Sequence, residues 1–218
     1  MAETIHEFPE AAIYGNRFWI VKNGKKKLSN VGLDDNFKSG YIDYIKTYAN
    51  TLDTPFNCSF VIIKKEDFEK EGGFKPNLKF GEDFDLWVRI ALKNKVAYLN
   101  NPLSYSNQDV ETMNRALGNE KLYDKQHYFV FNLSYLEPFE KSNSDLKYLL
   151  DFLRLTCLKR YYLNRKYLTE IRKILSECDF SNHPRLFYRY YHWPIPFIRL
   201  FFNLKIIGAR LKAKLKFV

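Results

Sequence analysis

The spacing of apolar residues changes once along this chain, and that change constrains the fold more than any other feature. From Asp145 onward the period is helical. Leu146, Leu149, Leu150, Leu153, Cys157 and Tyr161 form one stripe, and Leu168, Ile171 and Leu175 form another. Before that point, apolar runs of strand length alternate with short helical stretches. A chain of 218 residues can bury one sizeable core and a smaller second one. The expectation is an α/β region over residues 1–141 and an α-helical extension over 142–218, joined at the loop-like stretch Lys141-Ser142-Asn143-Ser144.

Within the first region, Ala11 to Val21 (AAIYGNRFWIV), Asn23-Gly24 and the following KKKLSNV predict a hairpin. Phe37, Tyr41, Tyr44, Ile45 and Tyr48 have the spacing of an amphipathic helix ending near Asn50, with Pro55 forcing a break. Cys58 to Ile63 is a continuous apolar run, the pattern of a strand buried on both faces. Lys64 to Glu71 predicts a short helix closed by Gly72-Gly73. Glu82 to Asn94 predicts a longer one, with Asp85 and Arg89 as an i,i+4 ion pair. Val96–Leu99 and Leu103–Tyr105 read as strands, and residues 114–138 as a mixed segment containing a helix.

Several classes are disfavoured early. The N-terminal MAETIHEFPEAA carries acids and no apolar core, so it is not a secretory signal, and a cytoplasmic location is expected. Cys58, Cys157 and Cys178 are an odd number without CxxC spacing, which argues against a disulfide framework and against a zinc site. The Asn57-Cys-Ser59 and Asn132-Leu-Ser134 glycosylation patterns are therefore chance matches. His6, His127, His183 and His192 are scattered and receive no role.

The chemistry concentrates in Gly72 to Arg89, GGFKPNLKFGEDFDLWVR. Carboxylates in the first turn of a helix are favoured by its positive end. Glu82 and Asp83 can therefore be electrostatic caps or, for Asp83, a base kept ionised for proton transfer. The order of apolar strand, short helix, Gly-Gly-Phe, loop, Gly-Glu-Asp-x-Asp-Leu-Trp and second strand resembles the acceptor half of family 2 glycosyltransferases of the GT-A type, over about Ala11 to Tyr105. The resemblance implies a partial GT-A, Rossmann-like domain that transfers a sugar from a nucleotide sugar to a glycan or lipid-linked acceptor with inversion. It implies that Asp83 is the base and that Glu82 assists or binds acceptor. Gly72 and Gly73 would form the flexible loop beside the acceptor, and Asn57 and Ser59 the bordering strand. Trp87 either offers its ring to a sugar or packs in the core.

Two departures accompany the resemblance. The family's nucleotide-binding half, with the Asp-x-Asp motif that holds a divalent Mg or Mn ion, has no counterpart, so nucleotide sugar is expected to bind only with that half. Asp34-Asp35 reads as a turn. Where many members carry Tyr-Arg-x-His, this chain has Tyr105-Ser-Asn-Gln-Asp109; Gln108 or Asp109 either replaces the histidine or lies in a polar loop. A non-catalytic glycan- or partner-binding fragment is the alternative reading.

The net charge of +10 is concentrated at the C-terminus. After Asp179 come Arg185, Arg189, Arg199, Lys205, Arg210, Lys212, Lys214 and Lys216 and no acid. The aromatic and cationic mixture of residues 180–218 suits single-stranded nucleic acid, but helical projection divides it. Phe197, Leu200, Phe201, Leu204, Ile207, Leu211 and Leu215 share one stripe, Ile198, Phe202, Ile206 and Ala209 a second, and the cations lie between them. This favours a helix lying on an anionic membrane surface, at the inner face, over nucleic acid. The competing reading buries it in a dimer or against another domain. Charges interrupt every window long enough to span.

Overall fold

The computed structural model describes residues 1–34, 36–109 and 122–201. The chain divides into two compact units, Met1–Leu150 and Asp151–Val218. The first is a mixed α/β unit built on strand β1, Ala11–Lys22. β1 runs parallel to β5 (Lys95–Asn107) on one edge. On the other edge it pairs antiparallel with β2 (Lys25–Leu28) through Trp19–Lys22, and with β4 (Val61–Ile63) through Ile13–Gly15. β3 (Ser39–Ile42) lies antiparallel against β5, giving the order β2-β1-β5-β3. The expected hairpin is present. Asn23 and Gly24 both take positive φ, 52° and 68°, as a two-residue turn matched to strand twist requires.

The first six residues of β1 are buried. Gly15 is required there, because a Cβ would stand 2.2 Å from the Phe56 ring. Phe56 in turn packs against Tyr44 and Trp87, with Ile13, Leu86, Ile90 and Tyr98 also inaccessible to solvent.

Three local expectations are corrected. The aromatic spacing from Phe37 to Tyr48 spans two elements: β3, then helix α2 (Tyr44–Thr51), which starts only where the Asp43 carboxylate accepts from the Lys46 N–H. Cys58 to Ile63 is not a doubly buried strand. Cys58–Phe60 is a 3-10 turn capped by Asn57, and β4 is a three-residue edge strand with Ile62 41% exposed. Val96–Leu99 and Leu103–Tyr105 are one strand, β5, whose pairing with β1 jumps from Asn16↔Leu99 to Phe18↔Ser104. The irregularity accommodates Pro102, which has no N–H for the ladder. Asn100 fills it by donating to Phe37 O and accepting from Arg17.

Around the sheet lie α1 (Ala2–Glu7), α3 (Lys65–Lys70) and α4 (Glu82–Ala91). Of the mixed 114–138 segment, residues 114–121 fall outside the described ones, and three 3-10 turns lie within 125–136 before α5 (Glu137–Glu140). The helical stripe holds in α6 (Ser144–Cys157), where Leu146, Leu149, Leu150 and Leu155 are fully buried. The second unit continues with α7 (Lys159–Leu163), α8 (Leu168–Ser176) and α9 (Arg185–His192). Its core holds Leu158, Tyr161, Ile171, Phe187 and Tyr191, and the Tyr191 hydroxyl donates to Leu155 O at 2.7 Å. Among the described residues no helix is long and apolar enough to cross a membrane.

Candidate functional site

The segment Gly72 to Arg89 folds as a turn, a loop and α4, and one buried carboxylate organises it. α3 ends in two consecutive left-handed residues, Gly72 (φ 74°) and Gly73 (φ 65°), whose N–H groups return to Glu69 O and Phe68 O. Side-chain-bearing residues resist that conformation. The turn is fastened from outside. The Arg89 guanidinium donates to Gly73 O at 2.7 Å and to Glu71 O. Arg89 is held by the i,i+4 partner expected for it, Asp85, at 2.9 and 2.8 Å.

Asp85 is 1% exposed and accepts two further donors, Lys75 Nζ at 2.6 Å and the Tyr135 hydroxyl at 2.8 Å. Lys75 also sits 3.9 Å over the Tyr135 ring. Burial, then the Asp85 charge, pushes the Tyr135 phenol far up from its ordinary range, so it remains a donor. A carboxylate this buried is tolerated because each of its oxygens is matched by charged or hydroxyl donors. Asp85 is thus a structural hub that joins α4, the Gly72-Gly73 turn and the 3-10 segment of Tyr135.

Asp83, two residues earlier, has a different setting. α4 opens after Gly81, which takes φ 77° and offers no side-chain cap. A Cβ there would meet the Phe129 ring at 2.3 Å, so glycine is enforced by packing as well as by φ. Asp83 Oδ1 accepts from the Phe84 N–H at 2.7 Å. Among the described residues neither Asp83 nor Glu82 pairs with a cation, and both are half-buried. The Asp83 charge acts on Cys58 and Tyr44. Cys58 is exposed at the surface, yet partial desolvation first, then the charges of Asp83 and Glu82, pushes its thiol up to about 11. Tyr44 is raised well above its ordinary value by burial, then by Tyr48 and Asp83.

The expected site residues therefore divide. The Asn57 carboxamide accepts from the Ser59 N–H at 2.9 Å, and Cys58, between the two, is the residue of this turn whose thiol is raised by the Asp83 charge. The Gly72-Gly73 turn is tied instead to Arg89, farther along α4. Of the two readings of Trp87, burial supports the core one. The residue is 2% exposed, its ring is met by Phe56 and Phe74 at 6.1 and 6.0 Å, and its indole N–H has no hydrogen-bond partner among the described residues. It lies one turn beyond Asp83 on a helix buried through Phe84, Leu86 and Val88, so it packs in the core and presents no ring face to a sugar. Sequence reasoning missed Lys75, Tyr135, Cys58 and Tyr44. Lys75 sits within the signature segment, whereas nothing local in the sequence points from Tyr135 to Asp85.

Among the described residues, the acids nearest in kind to the metal-holding motif that the family resemblance implies are engaged in turns. Asp34 accepts from the Asn36 N–H as a turn, and Asp109 caps the β1–β2 hairpin by accepting from the Asn23 and Gly24 N–H groups. Among the described residues no three metal-ligating side chains converge. Asp35 lies outside the described residues. No protein-family model matches this chain, and no curated protein matches it.

Proposed function

We propose that the start of α4 is the acceptor side of an inverting, family 2-like glycosyl transfer, with Asp83 as the base. One observation carries the reading. Of two acids two positions apart, Asp85 is saturated by Lys75, Arg89 and Tyr135, while Asp83 is paired with no described cation, at an uncapped helix end beside the Asn57–Ser59 turn. In this reaction the acceptor hydroxyl oxygen attacks the anomeric carbon and its proton passes to Asp83. The nucleoside diphosphate leaves from the opposite side with the bonding pair, which inverts the anomeric centre. Glu82 supplies a second acceptor of hydrogen bonds from the incoming sugar. No step is assigned to a metal, since no described residue set fits one.

The test uses this chain co-expressed with a nucleotide-binding half, with UDP-, GDP- and dTDP-sugars and both free and lipid-linked glycan acceptors. Asp83→Asn is expected to lower transfer by about 10²–10⁴, the usual contribution of a positioned base, with its melting temperature held. A rate per folded molecule that is unchanged in Asp83→Asn removes Asp83 as the base and, with it, the reading. Acceptor binding without transfer by the unmodified protein instead identifies a glycan-binding protein.

A further inference from the structure

The second unit exposes large apolar groups where a stable core would hide them. α9 turns Phe187, Tyr190 and Tyr191 inward and leaves Leu186 and Arg189 outside. Residues 195–201 are helical and bury Ile198, yet expose Phe197 (63%), Leu200 (56%) and Phe201. Trp193, between the two helices, is 43% exposed. Leu186, Arg189, Trp193, Ile198 and Phe201 line one shallow groove that runs from α9 to residues 195–201, and Phe197 and Leu200 are exposed on the same short helix.

We propose that this surface docks on an anionic lipid interface, with both helices lying in the headgroup plane. The inference does not rest on the role of Asp83. Charge complementarity selects the occupant: residues 180–218 contain no carboxylate, and five cations, Lys205, Arg210, Lys212, Lys214 and Lys216, follow Phe201 in the sequence. Apolar insertion plus a polybasic segment is the pair of signals that holds a protein at a membrane surface. The Arg189 guanidinium stands 5.8 Å from the Trp193 ring centroid, which places a headgroup-binding cation beside an interface-seeking indole. Nucleic acid fits less well. The groove between the helices is lined by Leu186, Trp193, Ile198 and Phe201 with Arg189 as its one described cation, an apolar surface suited to acyl chains and not to a phosphate backbone, which needs cations along its path. The sequence alone points to Ile195–Val218, of which 202–218 lies outside the described residues; the structure extends the surface upstream to Trp193 and Leu186.

Flotation of the full chain with vesicles of phosphatidylcholine and phosphatidylglycerol in equal parts tests the proposal, alongside quenching by lipids brominated on the acyl chain. The chain is expected to float, to dissociate on adding salt, and to show a quenched emission that Trp193→Phe removes, since Trp19 and Trp87 lie in the other unit. The triple variant Phe197→Ser, Leu200→Ser, Phe201→Ser is expected to bind roughly tenfold more weakly or less. Equal flotation by the triple variant, equal flotation on phosphatidylcholine alone, or no quenching of Trp193 overturns the proposal. So does a dimer in light scattering that the triple variant dissociates while vesicle binding is absent. The quenching experiment needs only Trp193→Phe, which keeps an aromatic ring in the groove, so it decides the matter even where the triple variant fails to fold.

Discussion

Asp83 and Asp85 share a helix and a chemistry, and their surroundings give them opposite fates. The Cys58 thiol offers an independent check on where the Asp83 charge sits. Its value near 11, against 9.0 for an ordinary thiol, means that about a hundredfold less thiolate is present at a given pH, so Cys58 should alkylate correspondingly slowly. Asp83→Asn removes a neighbouring negative charge, which lowers the thiol's value and speeds alkylation. The gain should stay within about tenfold, because partial desolvation, the larger cause, persists at this surface thiol. Mass spectrometry of the Cys58 peptide after timed iodoacetamide treatment measures this, with Cys157 and Cys178 as internal references. Alkylation of Cys58 at the rate of a free thiol in both proteins would place the carboxylate elsewhere. At this scale the sequence is informative wherever the partner is local. The first-turn acids and the Asp85–Arg89 pair follow from helical spacing, whereas Tyr135 reaches Asp85 only through the tertiary fold. Trp87 shows a further limit: spacing places it on the face of Asp83 but does not tell how deep that face lies.

At the scale of elements, α4 depends on two unrelated supports. The first is the Asp85 hub. Removing a buried carboxylate strands the donors aimed at it, so Asp85→Ala should cost about 3–5 kcal/mol, while Tyr135→Phe, which deletes one donor of several, should cost about 1 kcal/mol. The second is Gly81, where alanine combines an unfavourable positive φ with a collision against Phe129, for about 2 kcal/mol or more. Urea unfolding of the three variants should rank Asp85→Ala as the least stable and Tyr135→Phe as the mildest. A Tyr135→Phe loss equal to that of Asp85→Ala would mean that the hub is centred on the tyrosine. The hairpin and helices α3, α4 and α6 were legible because their turn residues, caps and stripes are local signals. The start of α2 and the shortness of β4 were not. Aromatic residues at helical spacing straddle the β3–α2 junction, and a run such as Cys58 to Ile63 reads alike whether it is a buried strand or a capped turn entering an edge strand.

The whole molecule divides its charge as unevenly as its secondary structure. Eight cations and no acid lie beyond Asp179, so most of the +10 net charge belongs to the last 39 residues, and the remainder of the chain is close to neutral. The apolar groove of α9 and residues 195–201 and the cations that follow Phe201 are therefore separable contributions to surface binding. Deleting residues 202–218 removes Lys205, Arg210, Lys212, Lys214 and Lys216 and leaves Trp193, Phe197, Leu200 and Phe201 in place. A cation near an anionic bilayer contributes about 1 kcal/mol, with less from each as neighbours share the same field. At low salt the truncated chain should therefore bind phosphatidylglycerol vesicles on the order of a hundredfold more weakly, with a flatter dependence on ionic strength. Its residual binding should still quench Trp193, because insertion of the indole is an apolar contribution that salt does not screen. Co-sedimentation across a salt series, read together with Trp193 quenching, separates the two. A truncated chain whose affinity and salt dependence match those of the full chain would assign the electrostatic attraction to Arg185 and Arg189 on α9.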